Sequence, residues 1–282
     1  MKIFQYKGLT LIELMFALLL SCFCMAVLTK TYLATHRHQR FIQAVNTFQD
    51  DVRIAIFFLQ TAIHSAGYTG CGFLSEEIMI IPKDNIVLNQ YNRISTYQTK
   101  EMKPNSEGFS VTHTSFAKNQ LQEKMVQSNQ LIVSTDVTFA VNDAIVINDC
   151  VHAEIFIIQN ILNQGNRQIL MSAPLHYLYK KNTELSRLEF NAFYVGKTER
   201  TQPDGSPLYA LYSKDNAGRK QELVANISEM KILFSEHTGF LLQEKKWQNI
   251  ADWSQVKGVD IQLTVDNPHL HKSISLYAAL SV

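Results

Sequence analysis

The chain opens on unbroken apolar sequence. From Leu9 to Leu28 nearly every side chain is apolar, and Glu13 is the single charged residue in the stretch. Roughly twenty residues at ~1.5 Å of helical rise each cover about 30 Å, the hydrocarbon thickness of a bilayer, so a membrane-spanning helix is predicted. Beyond it the pattern becomes periodic. Phe41, Val45, Phe48, Val52, Ala55 or Ile56, Leu59 and Ile63 recur in steps of three and four, the spacing of one apolar stripe on an amphipathic helix. Arg37, Gln39, Gln43, Asn46, Gln49, Asp50, Arg53 and Gln60 fall on the other, solvated face. Neither Gly nor Pro occurs between Gly8 and Gly67, so both halves belong to one helix from about Thr10 to Ala66, on the order of 85 Å long. Gly67, Gly70 and Gly72 then end it.

The period shortens after the helix. Residues 76–130 are polar and loop-rich, with apolar clusters at Ile78–Ile81 and Ile86–Leu88 and an exposed connection at Lys100–Gly108. From Gln130 onward, β-branched runs between Asn, Asp and Gly predict strands at Leu131–Ser134, Ala144–Ile147, Glu154–Ile158 and Gln168–Met171. Leu188–Val195 is expected to stop at Gly196, and a turn at Pro203–Pro207 feeds Leu208–Tyr212. Leu223–Phe234 and Val256–Val265 supply the last strands. The expected class is α+β, a long N-terminal helix whose C-terminal half packs on antiparallel sheet enlarged by insertions.

Composition excludes more than it assigns. The 282 residues are 46% hydrophobic, ample for one large domain or two small ones after the anchor. Lys plus Arg number 26 and Asp plus Glu 25, a balance with no footprint for nucleic acid. Lys2 and Lys7 before the apolar run are matched by Lys30, Arg37 and Arg40 after it, which leaves the positive-inside rule nearly silent. No G-x-S-x-G, H-E-x-x-H, Walker A or C-x-x-C sequence occurs, so no enzyme is expected. His36 and His38 read as headgroup-level surface, and His269 and His271 as ordinary strand residues. Cys150 and His152 would share one strand face, but two ligands do not make a zinc site, and neither metal nor cofactor is expected. Asp204-Gly205 and Asp215–Gly218 read as turns rather than Ca²⁺ loops.

The stretch Lys7-Gly8-Leu9-Thr10-Leu11-Ile12-Glu13, set directly before the apolar run, resembles the processing site of type IV prepilins and of the pseudopilins of type II secretion. The resemblance implies cleavage between Gly8 and Leu9 by a prepilin peptidase and methylation of Leu9, where the family usually has Phe. It also implies that Glu13 pairs with the amino terminus of a neighbouring subunit, the partner that a charge in an apolar segment needs. Leu59, Ile63, Ala66, Gly67, Tyr68, Gly70 and Cys71 are similar to the helix exit of PilW-type minor pilins. The run Asp143–Cys150 is similar to a strand of that family ending in Asp-Cys, and Phe193-Tyr194-Val195 with Leu208–Tyr212 adds to the match.

A pilin-like fold then follows, with a leader at 1–8, a transmembrane and assembly segment at 9–29, an amphipathic helix half at 30–66 and a β-rich periplasmic domain at 67–282. The implied partners are the prepilin peptidase, other minor pilins, the major pilin, the inner-membrane assembly platform and membrane lipid. The implied location is the bacterial inner membrane and later the pilus fibre or tip, with a minor-pilin complex that primes assembly expected at the tip. In that oxidising compartment a Cys71–Cys150 disulfide is expected, with two buried free thiols as the alternative. Two other functions stay open: a large minor pseudopilin of type II secretion, and a pilin-displayed adhesin or DNA-uptake module.

Overall fold

The structure is a computed structural model and describes residues 11–71, 79–80, 92–202, 205–238, 241–250, 253–267 and 270–280. Gly8, Leu9, Gly72, Ile78, Ile81, the apolar cluster at 86–88, Asp204 and His269 lie outside the described residues. One helix, α1 (Leu11–Ser65), is followed by β1 (Met79–Ile80), β2 (Ile94–Thr96), β3 (Phe109–Gln120), β4 (Gln130–Ser134) and β5 (Ala144–Asn148). Next come β6 (Ala153–Ile157), β7 (Asn160–Gln164), β8 (Arg167–Met171), β9 (Glu184–Thr201) and β10 (Pro207–Asp215). The chain continues with β11 (Lys220–Ala225), β12 (Ile227–Thr238), β13 (Leu241–Lys245), β14 (Val256–Asn267) and β15 (Leu270–Ala279). The class is α+β. The chain divides into two compact units, one ending at Asp50 and one beginning at Asp51.

In the first unit α1 carries the apolar run. Leu11, Leu14, Phe16, Leu19, Phe23 and Leu28 are all exposed, and the helix is long and apolar enough to cross a membrane. Its few hydroxyls are silenced locally. Ser21 donates to the Ala17 carbonyl, Thr29 to Met25 at 2.7 Å and Thr31 to Val27 at 2.9 Å, so none of these three hydroxyls needs a partner from lipid. The apolar stripe expected to begin at Phe41 does not hold there, because Phe41 is half exposed.

In the second unit α1 buries Ala55, Leu59, Ile63 and Ala66 completely, the stripe that the three-four spacing predicts. The β-rich body contains three sheets where one was expected. The largest has eight strands, running β1-β6-β5-β9-β10-β11 with β3 paired to β9 and β2 to β3. All its pairs are antiparallel except the short β1–β6 pair. A four-stranded sheet runs β13-β12-β14-β15, and a three-stranded one β4-β8-β7.

Strand β9 organises the large sheet. Along one edge it pairs with β3, and along the other first with β5 over Glu184–Arg187 and then with β10 from Asn191. Asn216 fills the gap between those two partners. Its Oδ1 accepts from the Phe190 N–H at 2.5 Å and its Nδ2 donates to the Leu188 carbonyl at 3.0 Å, so a side chain replaces the missing strand. Four expectations need correction. Gly196 does not end β9, which runs on to Thr201. A Cβ at Gly196 would sit 3.1 Å from the Glu101 carbonyl oxygen and 3.2 Å from the Tyr194 and Tyr212 rings, so the glycine serves close packing. Leu223–Phe234 is two strands in two sheets, broken at Asn226, whose φ of 63° turns the chain. Residues 109–120, expected in a loop-rich region, form β3 with Ser110, Thr112, His113 and Thr114 buried. Cys150 and His152 lie in the β5–β6 turn rather than along a strand, and Cys150 has φ 67°.

Candidate functional site

Glu13 stands in the first described turn of α1 and is exposed. Leu11, Ile12 and Leu14, its neighbours in the chain, are exposed as well. Cys22 and Cys24 are free thiols on that same exposed surface.

The other end of α1 is a junction built by short-range chemistry. Gly67 takes φ 80°, and its N–H donates to the Thr112 carbonyl of β3 at 2.6 Å. Glycine is required there twice over, since a Cβ would also meet the Arg93 side chain at 2.4 Å. Tyr68 continues the seam. Its carbonyl accepts from the Thr114 N–H at 2.9 Å and from the Thr114 hydroxyl at 3.1 Å, while its own hydroxyl donates to the Gly70 carbonyl at 2.5 Å. Three residues after Tyr68, Cys71 is joined to Cys150 in a disulfide, with Cα atoms 5.2 Å apart. The helix exit is therefore fixed to β3 by hydrogen bonds and to the β5–β6 turn by a covalent bond.

That turn is shaped by its own side chains. Asn148 Oδ1 accepts from the Cys150 N–H at 2.6 Å, and Asn148 Nδ2 donates to the Thr69 carbonyl at 3.3 Å. Asp149 Oδ1 accepts from the Val151 N–H at 3.0 Å and the His152 N–H at 2.7 Å. Burial pushes the Asp149 carboxyl up, but these two N–H bonds and the His152 ring outweigh it and hold the group below its ordinary range. The His152 ring in turn lies 4.0 Å from that of Tyr177.

Below the turn lies a carboxylate that the sequence reading passed over. Glu154 of β6 is 0% exposed, on the same strand face as Phe156 and against the core of Leu121, Leu131, Val133, Ile147, Leu170 and Tyr179. Four donors meet it. Oε2 accepts from the His176 N–H at 2.9 Å and from His176 Nδ1 at 3.1 Å, and Oε1 from the Tyr177 N–H at 3.0 Å and the Tyr179 hydroxyl at 3.2 Å. Burial first, and the Glu154 charge second, raise the Tyr179 phenol far above its ordinary value, which keeps it a donor. Glu154 thus holds the 176–179 loop on the core. Its signal was available: it is the one charge in the run Glu154–Ile158.

The arrangement binds elements together. Among the described residues, no three His, Cys, Asp or Glu side chains converge where a metal ion could sit. The proposed processing residues Gly8 and Leu9 lie outside the described residues. No family model, curated protein or solved structure matches the chain.

Proposed function

We propose that this chain is a minor pilin, a membrane-anchored subunit that joins others to prime assembly of a type IV pilus. The observation that carries the reading is a single helix whose N-terminal run is apolar, fully exposed and marked by one carboxylate in its first turn, ahead of a β-rich body. A surface of that composition is compatible with lipid and with packing against like helices, and with neither water nor an isolated existence. The prepilin-like sequence around Gly8 supplies the second half of the argument, because it gives Glu13 an ammonium partner from a neighbouring chain. The seam of Gly67, Tyr68 and Cys71 then fixes the body to the element through which assembly would act. In this reading the resemblance to PilW-type minor pilins extends to role and place, a priming complex at the pilus tip.

The test is N-terminal mass analysis of the full chain co-produced with a prepilin peptidase. A mature chain beginning at methylated Leu9, and an unprocessed chain when Gly8→Trp is used, are expected. An N-terminus that is the same with and without the peptidase would remove the proposal.

A further inference from the structure

The outer face of the four-stranded sheet carries a feature that anchoring and assembly do not use. Register places Lys231, Gln262 and Ser275 in one row across β12, β14 and β15, and Leu233, Asp260 and Tyr277 in the next. The opposite face is core, with Ile232, Val259, Ile261, Leu276 and Ala278 buried. Asn105 and Glu107 flank the polar rows along the edge of β12, because Glu107 donates its N–H to the Met230 carbonyl at 2.8 Å and its Oε2 accepts from the Ile232 N–H at 2.6 Å. With Lys246 closing one side, these groups enclose a groove of about 500 Å³. That volume is within the range of small-molecule sites.

Beside the groove, directly across from Asp260, Tyr277 is 53% exposed. Its ring does not stand up from the sheet. A Cβ at Gly258 would lie 2.7 Å from the Tyr277 hydroxyl, 3.1 Å from Cζ and 3.3 Å from Cε2, so the hydroxyl half of the ring lies across the glycine. Gly258 is what lets the ring lie flat, with its other face turned to solvent. A flat, exposed aromatic face next to hydrogen-bonding groups is an amphipathic platform.

The groups around it indicate what would lie there. Two ammonium groups, Lys231 and Lys246, are balanced by two carboxylates, Glu107 and Asp260, so the groove selects neither anion nor cation. Asn105 and Gln262 can each donate and accept. The side chains of Asn105, Lys246, Asp260, Gln262 and Ser275 make no hydrogen bond or ion pair among the described residues, leaving that capacity to a ligand. A neutral ring with hydroxyls on its edge and C–H bonds on its faces matches such a site, the hydroxyls meeting amides and carboxylate and the C–H face meeting Tyr277.

We infer that this groove and the adjoining Tyr277 bind a neutral oligosaccharide of at least two hexopyranose units, one stacked on Tyr277 over Gly258 and the next hydrogen-bonded to Asp260 and Gln262. The site would make the subunit a surface reader of glycans as well as a structural component. It stands apart from the assembly reading, because it uses no residue of α1.

Saturation-transfer NMR on the full chain in dodecylphosphocholine, with lactose, cellobiose and N,N′-diacetylchitobiose at millimolar concentration, tests it. At least one sugar should receive saturation from the protein. Tyr277→Ala should abolish the transfer, and Gln262→Ala should weaken binding about tenfold, the effect of losing one or two hydrogen bonds. Asp260→Asn, which keeps shape and changes only charge and donor pattern, is the control against a folding defect and should also weaken binding. Absence of transfer to all three sugars, transfer that survives Tyr277→Ala, or binding of a charged tripeptide in their place would overturn the inference. None of these outcomes bears on processing at Gly8, so the two proposals fail separately.

Discussion

Replacing Glu154 by Gln changes one heavy atom and should destabilise the body substantially. In the native chain each carboxylate oxygen accepts one backbone N–H, from His176 on Oε2 and from Tyr177 on Oε1. A carboxamide has only one acceptor oxygen. Whichever way it is turned, its NH₂ faces a backbone N–H, and that part-buried donor loses its acceptor. An unsatisfied buried group costs about 1–3 kcal/mol, and the surviving bonds lose the strength that a charged acceptor gives them. Together the loss is about 3 kcal/mol, which for a domain of this size is a fall in Tm of roughly 6–12 °C. Tyr179→Phe removes one of four donors and leaves the carboxylate with three, so about 1 kcal/mol is expected. Urea titration of the full chain in detergent, followed by tryptophan fluorescence, measures both. Two results would refute the reasoning: Glu154→Gln within about 0.5 kcal/mol of the parent, the range of an ordinary surface change, or Tyr179→Phe costing more than Glu154→Gln.

Three further outcomes follow from the junction at the helix exit. Serine at both Cys71 and Cys150 opens a loop with a sequence separation of 79, worth about 4 kcal/mol of chain entropy, and the same urea titration should show the loss only under non-reducing conditions. Gly67→Ala combines a left-handed backbone with a clash against Arg93, and should cost more than the ~1 kcal/mol of backbone strain alone; equal stability by thermal melting would contradict the seam. Asp149 is held below its ordinary pKa, so its contribution is complete above the unfolded value of about 3.9 and is lost as pH falls through the lowered folded value. Hydrogen exchange at Val151 and His152 should therefore accelerate in that acid window, beyond the change seen in Asp149→Asn.

Much of the fold was legible where the signal is local. A stretch without Gly or Pro and with a three-four stripe is α1, and Gly67 ends it for the reason that its φ and its contact with Arg93 make plain. Strands buried on one face, such as β4 and β14, alternate and were legible as well. What stayed hidden depends on distant partners. Strand β3 is central yet polar, because Thr112 and Thr114 meet the helix exit and Ser110 meets Ser95 across β2, so hydrogen bonds take the place of apolar alternation. Asn226 breaks a run that reads as continuous, since the residue tolerates positive φ without a Gly or Pro to announce it. Ile54, Phe57 and Phe58 are exposed on α1 although apolar, and a periodic reading cannot distinguish them from core.

One rule, that a lone charge in an apolar run demands a partner, applies equally to Glu154 and to Glu13, and the partner proposed for Glu13 is of a different kind. Glu154 is answered inside its own unit by four donors, and it therefore acts on stability. Glu13 lies on an exposed helical turn among side chains suited to lipid, where the proposed partner is another subunit. The pair therefore separates folding from assembly in one experiment. Glu13→Ala should leave the urea midpoint of the body unchanged while lowering recovery of the chain in sheared pili, and Glu154→Gln should shift the midpoint. Normal recovery of Glu13→Ala in filaments would leave the Glu13 carboxylate without the register role proposed for it, whatever the stability measurements show.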